Sequence, residues 1–305
     1  MKKTMRKIGV AAAVAVAWAP LLVWAYPQPL LEYKFNVNDN NLATNTGYYA
    51  TQALYMFNRL GSAANLQTAS GIGVSGQPGD QAFNNGALDM GNISPNGGFA
   101  DQRAYYTEYE NRNALTIACW FNAQTQMMRN AGLITKISGN YGWSFDVMTG
   151  TGTQPLRLIL GSGSAQLVSY GTTNGTVTGG SLFGETGTWV FCAATWDGTL
   201  GANNVIWYKG TKTSSVVPVY TGTIALAQIA QGSAFLTVGT MNGSQTNRCF
   251  YGLLDNVRLW MSTGTNSAVI GQEGLEAYRT ADLVPEPGML LGVGVLALAV
   301  LRRRG

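Results

Sequence analysis

The chain of 305 residues contains no histidine, and this absence excludes several kinds of chemistry. Ser-His-Asp and Cys-His catalysis need an imidazole base, and His-ligated metal sites need imidazole ligands. The three cysteines are too scattered to supply zinc spacing. No Walker-type phosphate loop occurs, because Gly71-Ile72-Gly73 and Gly161-Ser162-Gly163 are isolated glycine pairs that are typical of turns.

Charge is also scarce, since only 11% of the residues are Asp, Glu, Lys or Arg. Seven of the 19 basic residues lie at the two ends of the chain. Residues 26–284 keep 12 basic and 14 acidic residues, which is a net charge of −2. We expect no nucleic-acid partner, because binding phosphates needs clustered Lys and Arg on the folded domain.

The N-terminus has the pattern of a secretion signal. Its basic residues are Lys2, Lys3, Arg6 and Lys7. An apolar stretch runs from Ile8 to Trp24, and Val23-Trp24-Ala25 offers the small residues that precede a cleavage site. Pro20 and the modest length favour a signal peptide, residues 1–25, over a membrane anchor.

The C-terminus combines three elements. Pro285, Glu286 and Pro287 come first, an apolar run of 13 residues from 289 to 301 follows, and Arg302, Arg303 and Arg304 end it. A bilayer span usually needs ~20 residues, so this run is short for a permanent anchor. The positive-inside rule keeps the basic residues of both ends in the cytoplasm and exports what lies between them.

This order of elements resembles the PEP-CTERM sorting signal of Gram-negative bacteria that produce exopolysaccharide. The resemblance implies that residues 284–305 are a sorting tail, with an integral-membrane exosortase as the partner that recognises and cleaves it. The precursor is then expected in the inner membrane, held by a transient C-terminal segment. The mature protein is expected at the cell envelope, on the outer surface or in the extracellular matrix.

Short apolar runs among Gly, Asn, Thr and Ser predict an all-β domain in residues 26–283. Predicted strands are 30–37, 115–121, 133–137, 143–148, 156–160, 189–196, 204–209, 235–240 and 252–260. In the second of them, Leu115, Ile117, Cys119 and Phe121 share one face. The only predicted helix is 272–279, just before the tail. Residues 38–112 show only weak strand signals near 87–93, and their structure stays open.

Three segments resemble laminin-G-like, concanavalin A-like domains. Residues 189–198 and 204–210 look like a family hairpin with an aromatic-Asp-Gly turn, and 250–260 looks like the closing strand. Residues 115–121 match a core strand. The resemblance is clearest over 115–260 and implies a jelly-roll sandwich of two antiparallel sheets, a fold that often carries calcium.

Asp255 is the first candidate for a metal site. By alternation it shares a face with Val257 and Leu259, so either a bulge turns it away or it is buried and hydrogen-bonded. It can satisfy backbone N–H groups of a loop, or it can serve as an oxygen ligand for Ca²⁺. Asp39 and Asp197 are further candidate calcium ligands.

Two aromatic residues are candidates for ligand binding. Trp143 follows the turn at Tyr141-Gly142, so the two rings could face a sugar, although a core position for Trp143 is the simpler interpretation. We expect the domain to contact exopolysaccharide, other surface glycans or a protein. The alternative is a purely structural matrix protein that has no specific ligand.

A glycoside hydrolase or lyase is the enzymatic alternative, because concanavalin A-like sandwiches also host glycosidases. Such chemistry needs two carboxylates ~5–9.5 Å apart. The only i, i+2 pair is Glu108 and Glu110, in a tyrosine-rich stretch that reads as a solvated loop. We therefore expect a non-enzymatic protein without catalytic residues.

The cysteines leave two interpretations open. An exported protein meets an oxidising compartment, so one pair among Cys119, Cys192 and Cys249 could be bridged with the third left over. Each cysteine also lies in an apolar run, as a small buried hydrophobe would.

Overall fold

The computed structural model describes residues 26–39, 42–58, 72–84, 88–89, 92–93, 98–123, 130–148, 156–171, 187–241, 248–264 and 267–284. The strands in these residues are β1 Leu31–Asp39, β2 Leu42–Asn45, β3 Leu54–Asn58, β4 Phe83–Asn84, β5 Leu88–Asp89, β6 Asn92–Ile93, β7 Gly98–Asp101, β8 Ala114–Ala123, β9 Ala131–Ser138, β10 Tyr141–Val147, β11 Leu156–Gly161, β12 Gln166–Tyr170, β13 Val190–Asp197, β14 Val205–Thr211, β15 Val217–Gly222, β16 Thr237–Val238 and β17 Gly252–Ser262. A 3-10 turn spans Thr107–Tyr109, and the helix α1 spans Gln272–Asp282.

The first sheet has the strand order β15-β14-β13-β8-β17-β1, and every neighbouring pair is antiparallel. Its central strands are those that the sequence predicts most clearly. In β8 the alternating Leu115, Ile117, Cys119 and Phe121 face the main core, as predicted, while Ala118 and Trp120 belong to a second cluster on the other face. Both faces of this sheet are therefore covered.

The second sheet continues from β1 in the order β2-β3-β7-β16-β9-β10-β11-β12. The pairing of β1 with β2 shifts register between Tyr33 and Asn38, and Phe35 adopts a left-handed φ of 57° inside that interval. Bulged residues bend a strand. The irregularity in β1 therefore lies at the point where the continuous strand ladder bends from the first sheet into the second.

The main core lies between the two sheets. Phe145 of β10 stacks on Trp207 of β14, with ring centroids 5.7 Å apart. Trp207 Nε1 also donates a hydrogen bond to Ser169 Oγ of β12 at 3.1 Å, so the indole N–H has a partner in the core. Aromatic side chains from opposite sheets thus fill the interior, as expected for a β-sandwich.

The outer face of the first sheet is covered by α1 and by the N-terminal segment. Leu275 and Tyr278 of the helix join the cluster that contains Trp120 and Trp260. Trp120 Nε1 donates to Asp282 Oδ2 at 2.9 Å, and Trp260 Nε1 donates to the Pro27 carbonyl at 2.7 Å. We call this outer face of the first sheet, covered by α1 and the N-terminal segment, the sealed face.

The all-β class, the sandwich and the helix before the tail are confirmed. The helix is three residues longer than predicted, and the strand expected at 235–240 shrinks to Thr237–Val238. Residues 38–112 contribute β2, β3 and β7 to the second sheet, which the sequence pattern did not indicate. Their short strands gain stability from neighbours on both sides rather than from strong local patterns.

Candidate functional site

One end of the second sheet is closed by residues 229–236, which we call the rim loop. The Gly142 N–H of β10 donates to the Ala230 carbonyl at 3.0 Å, and the Ala230 N–H donates to the Gly161 carbonyl of β11 at 2.8 Å. The loop is therefore tied by its backbone to the end of the sheet where β9 turns into β10.

A buried ion pair lies beneath this loop. Lys136 Nζ of β9 contacts Glu110 Oε1, and the two side chains are 1% and 2% exposed. The remaining contacts of the pair go to the loop. Lys136 Nζ donates to the Ala234 carbonyl at 3.0 Å, and the Gly232 N–H donates to Glu110 Oε2 at 2.8 Å. Burial lowers the pKa of Lys136, while the hydrogen bond and charge of Glu110 act in the opposite direction.

Three exposed aromatic side chains lie on or beside the loop, and we call them the aromatic rim: Tyr105, Tyr141 and Phe235, which are 37%, 45% and 46% exposed. The Tyr105 ring lies 4.3 Å from Lys136 Nζ, and its hydroxyl accepts a hydrogen bond from Gln231 Nε2 at 3.2 Å.

Tyr141 packs against the loop at Gly232. A Cβ placed on Gly232 would lie only 2.9 Å from the Tyr141 Cβ, so a larger residue would push the ring or the loop away. Phe235 directly follows Ala234, whose carbonyl holds Lys136. The ion pair therefore holds the loop, the loop contacts Tyr105 and Tyr141, and Phe235 is part of the loop itself.

This arrangement suits recognition better than catalysis. Exposed aromatic faces can contact the apolar side of a ligand. Glu110 is occupied by a lysine and a backbone N–H, so it is poorly placed to hand over a proton. The rim is an exposed aromatic surface above a buried ion pair.

The interpretation of Trp143 as a ligand-binding ring is wrong. Trp143 is fully buried in the main core, on the face of β10 that points at the first sheet. Tyr141 and Trp143 are two residues apart and therefore share a face of the strand. Trp143 is covered by the main core, whereas Tyr141 is exposed because it is the first residue of β10. Of the two predicted residues, only Tyr141 can meet a ligand from solvent.

Asp255 is buried, and a bulge changes its face. The pairing of β17 with β8 shifts between Asp255 and Arg258, and Asn256 has a φ of 48°. Asp255 lies opposite Trp120, whose side chain belongs to the sealed face. It therefore does not share the inner face of Val257, because one extra residue reverses the alternation.

Both carboxylate oxygens of Asp255 accept backbone N–H groups, from Val74 at 2.9 Å and from Asn256 at 2.7 Å. Burial raises its pKa well above the ordinary value, and the charge of Asp80 adds to the rise, while the two N–H groups oppose it. These bonds match the predicted structural role, the capture of loop N–H groups.

The other predicted calcium ligands do not lie beside Asp255. Asp197 ends β13, where its Oδ1 accepts the Thr199 N–H at 2.9 Å. Asp39 ends β1. Within the residues that the structure describes, no three His, Cys, Asp or Glu side chains group so that they could hold a metal ion. Calcium binding stays a prediction.

The interpretation of the Glu108 and Glu110 segment as a solvated loop is wrong for Glu110, which is buried against Lys136. Glu108 lies in the 3-10 turn, so the two residues are not on one strand. The sequence did contain one signal for this ion pair, the lysine inside the apolar run 133–137, because a lysine buried in a strand needs a charged partner. Sequence reasoning missed Lys136, Tyr105 and Phe235.

The predicted sorting residues, Pro285 to Pro287 and Arg302 to Arg304, lie outside the described residues, as does the signal segment 1–25. None of the helices in the described part of the chain has the length and apolarity that a membrane crossing requires.

A laminin-G family model, described as the concanavalin A-like lectin/glucanases superfamily, matches residues 99–269. This match includes the whole of 115–260 and extends beyond it at both ends. No curated protein sequence matches the chain.

Several solved structures share the fold at low identity. The binding domain of botulinum neurotoxin DC in complex with SialylT has a TM-score of 0.51 at 12% identity, covering 84% of this chain and 52% of that chain. A structure of botulinum neurotoxin type C, whose cell entry depends on interaction with two ganglioside molecules, has a TM-score of 0.51 at 10% identity, covering 84% of this chain and 51% of that chain. This chain thus spans about half the length of these toxin domains. Domain 4 of a Geobacillus stearothermophilus arabinanase has 0.43 at 15%, covering 82% and 99%.

Proposed function

Because the chain belongs to the concanavalin A-like lectin/glucanases superfamily, we propose that it is a non-enzymatic glycan-binding protein of the cell surface or extracellular matrix. The observation that carries this proposal is the aromatic rim, three exposed rings on or beside a loop whose backbone is held by a buried ion pair. Its ligand is an exopolysaccharide or another surface glycan.

The rim supports binding through the pyranose face. A sugar ring presents an apolar C–H face, and Tyr and Phe rings can cover that face while their surroundings supply hydrogen bonds. The toxin binding domain is in complex with SialylT, and cell entry of the type C neurotoxin depends on interaction with two ganglioside molecules. These similarities concern the fold, and they make a glycan the first ligand class to test.

The test is binding of the purified domain, residues 26–284, to a glycan array and then to the best soluble oligosaccharide. Tyr141→Ala should weaken binding at least about tenfold, which corresponds to ~1.4 kcal/mol. Val219→Ala, an exposed residue on the edge strand β15, is the matched control and should leave the affinity unchanged. Equal affinities for the two variants would remove the rim as the site.

The enzymatic alternative is tested in parallel, because the superfamily description includes glucanases. We expect neither reducing ends nor unsaturated products from β-glucans or alginate between pH 4 and 9. The absence of histidine and the capture of Glu110 by Lys136 support this expectation. Turnover that survives Glu108→Gln and is lost on adding Glu110→Gln, in protein shown to be folded, would locate the catalyst at Glu110.

We also propose export and sorting, with an exosortase as the partner. Lys2 to Lys7, the apolar run 289–301 and the terminal arginines support it. The full chain should be shortened near Pro285 during maturation, and a chain truncated after Val284 should appear in a different cell fraction; the mature N-terminus should be Tyr26. A full chain that keeps its tail and shares the cell fraction of the truncated chain would reject the sorting tail.

A further inference from the structure

Two of the three cysteines lie directly opposite each other in the first sheet. Cys119 of β8 pairs with Cys192 of β13 in the antiparallel register. Both side chains are fully buried in the main core, so they project from the same face of the two strands. Their sulfur atoms are 3.7 Å apart, although 73 positions separate them in the sequence.

This geometry is close to that of a disulfide. Directly opposed residues of an antiparallel pair have Cα atoms about 4.5 or 5.5 Å apart, and disulfides span Cα distances of about 4.4–6.8 Å. Bringing the sulfurs to about 2.05 Å needs rotation of the two side chains but no change of strand register.

The third cysteine is placed elsewhere. Cys249 forms isolated bridges with Gly132 and Thr240, beside strand β9 of the second sheet. Of the three pairings that the sequence allows, only Cys119 with Cys192 joins adjacent positions of one sheet.

We propose that Cys119 and Cys192 are a disulfide-forming pair, oxidised by a dithiol–disulfide donor such as an oxidised oxidoreductase or glutathione disulfide. The thiolate of one cysteine attacks the donor disulfide and releases one donor thiol. The second cysteine then displaces the remaining donor sulfur. The two cysteines lose two protons and two electrons, and the donor disulfide becomes two thiols. Only the supply of this oxidant in the cell rests on the proposed export.

The bond forms before the core closes. Burial raises the pKa of the Cys192 thiol well above its ordinary value, and the neighbouring Cys119 adds to the rise, so the reactive thiolate is scarce in the folded state. Because both sulfur atoms are buried, a reductant cannot reach the finished disulfide unless the protein unfolds. The oxidation state of Cys119 and Cys192 in the folded protein therefore shows whether the chain folded in an oxidising compartment.

The test starts from the full wild-type chain, reduced in guanidinium chloride and refolded with a glutathione redox pair. After alkylation under denaturing, non-reducing conditions, we expect one modified cysteine, Cys249, and a linked peptide pair containing 119 and 192. Cys249→Ser should show no modified cysteine, and Cys119→Ala should show two. Three modified cysteines in refolded wild type, or a link that includes Cys249, would overturn the proposal.

The same mapping on protein isolated from the cell tests the compartment. A link present after refolding and absent from the cellular protein would leave the pair intact and count against export. The oxidised wild type should melt at a higher temperature than the reduced wild type, and the Cys119→Ala, Cys192→Ala double variant should melt identically with and without reductant. A wild type that melts identically in both states while carrying no link would contradict the pairing.

Discussion

Two buried ion pairs serve different purposes in this molecule. On the sealed face, Arg258 donates from Nε to Glu32 Oε1 at 2.7 Å and from Nη1 to Asp282 Oδ2 at 2.8 Å, so it joins β17 to β1 and α1. At the rim, Lys136 and Glu110 spend their remaining hydrogen bonds on the backbone of an irregular loop. Both pairs are almost completely buried, but only the second has exposed aromatic rings above it.

The difference shows that burial of a charge pair does not by itself identify a functional site. Arg258, Asp282 and Trp120 link regular elements that also share a large apolar contact, so their loss concerns the fold. Lys136 and Glu110 position a segment without regular structure, so their loss concerns the shape of a surface. Whether the hydrogen-bond partners of a buried ion pair lie in regular elements or in a loop therefore decides whether its loss affects the whole fold or one surface.

The largest expected effect is that of Arg258→Met. The change leaves Asp282 and Glu32 buried beside each other without their cation, which typically costs about 3–5 kcal/mol. Urea unfolding should show this loss, and hydrogen exchange should rise in α1. Arg103→Gln, which alters an ion pair between the exposed Arg103 and the largely buried Asp101, is the control and should lower the free energy of unfolding by much less than Arg258→Met does. A loss as small as the control's would refute the structural role.

Lys136→Met should have a smaller effect on stability, about 2 kcal/mol, because the rim loop can open locally and let water reach Glu110. Hydrogen exchange should rise in residues 229–236 and stay unchanged in α1, the reverse of the Arg258 variant. Glycan affinity should fall with it. Adding Glu110→Gln should recover part of the stability by removing the unpaired charge. Increased exchange throughout the chain would show that the two ion pairs do not act on separate regions.

The third expected effect is a gradual dependence on pH rather than a single loss, and it concerns Asp255, a buried carboxylate held by N–H groups. Its raised pKa means that above about pH 3.9 the folded state keeps a proton that the unfolded state has lost. The free energy of unfolding of the wild type, measured relative to Asp255→Asn, should therefore fall as the pH rises from 4, by at most ~1.4 kcal/mol per pH unit. Urea unfolding at pH 4 to 8 measures this difference. A difference that grows with pH would mean that the N–H groups outweigh burial.

The strands that could be predicted are those with a strong local pattern. The strands around 115–121, 189–196 and 252–260 were found because apolar residues alternate in them or run through them without a break. In contrast, β2, β3 and β7 contain only four or five residues, and β7 pairs with β3 and β16, which are distant in the sequence. Such strands depend on the neighbouring strands for their stability, so a local pattern does not indicate them.

The candidate site was predicted only in part. Tyr141 was found because it lies beside a turn. Trp143, two residues later on the same face, was misassigned because no local pattern shows that the main core covers it. Lys136 and Glu110 are 26 positions apart and come together only because the rim loop and the segment before β8 meet at the end of β9. No spacing in the sequence indicates that contact.

The sequence by itself determined the all-β class, the helix before the tail and the exclusion of imidazole chemistry, because these follow from residue types and short-range periodicity. The tertiary structure decided which residues meet. A single bulge moved Asp255 to the sealed face, and the register of β8 with β13 set Cys119 against Cys192. Register is a property of two paired strands, and a shift of one residue reverses every side chain, so it is fixed only when distant segments pack together.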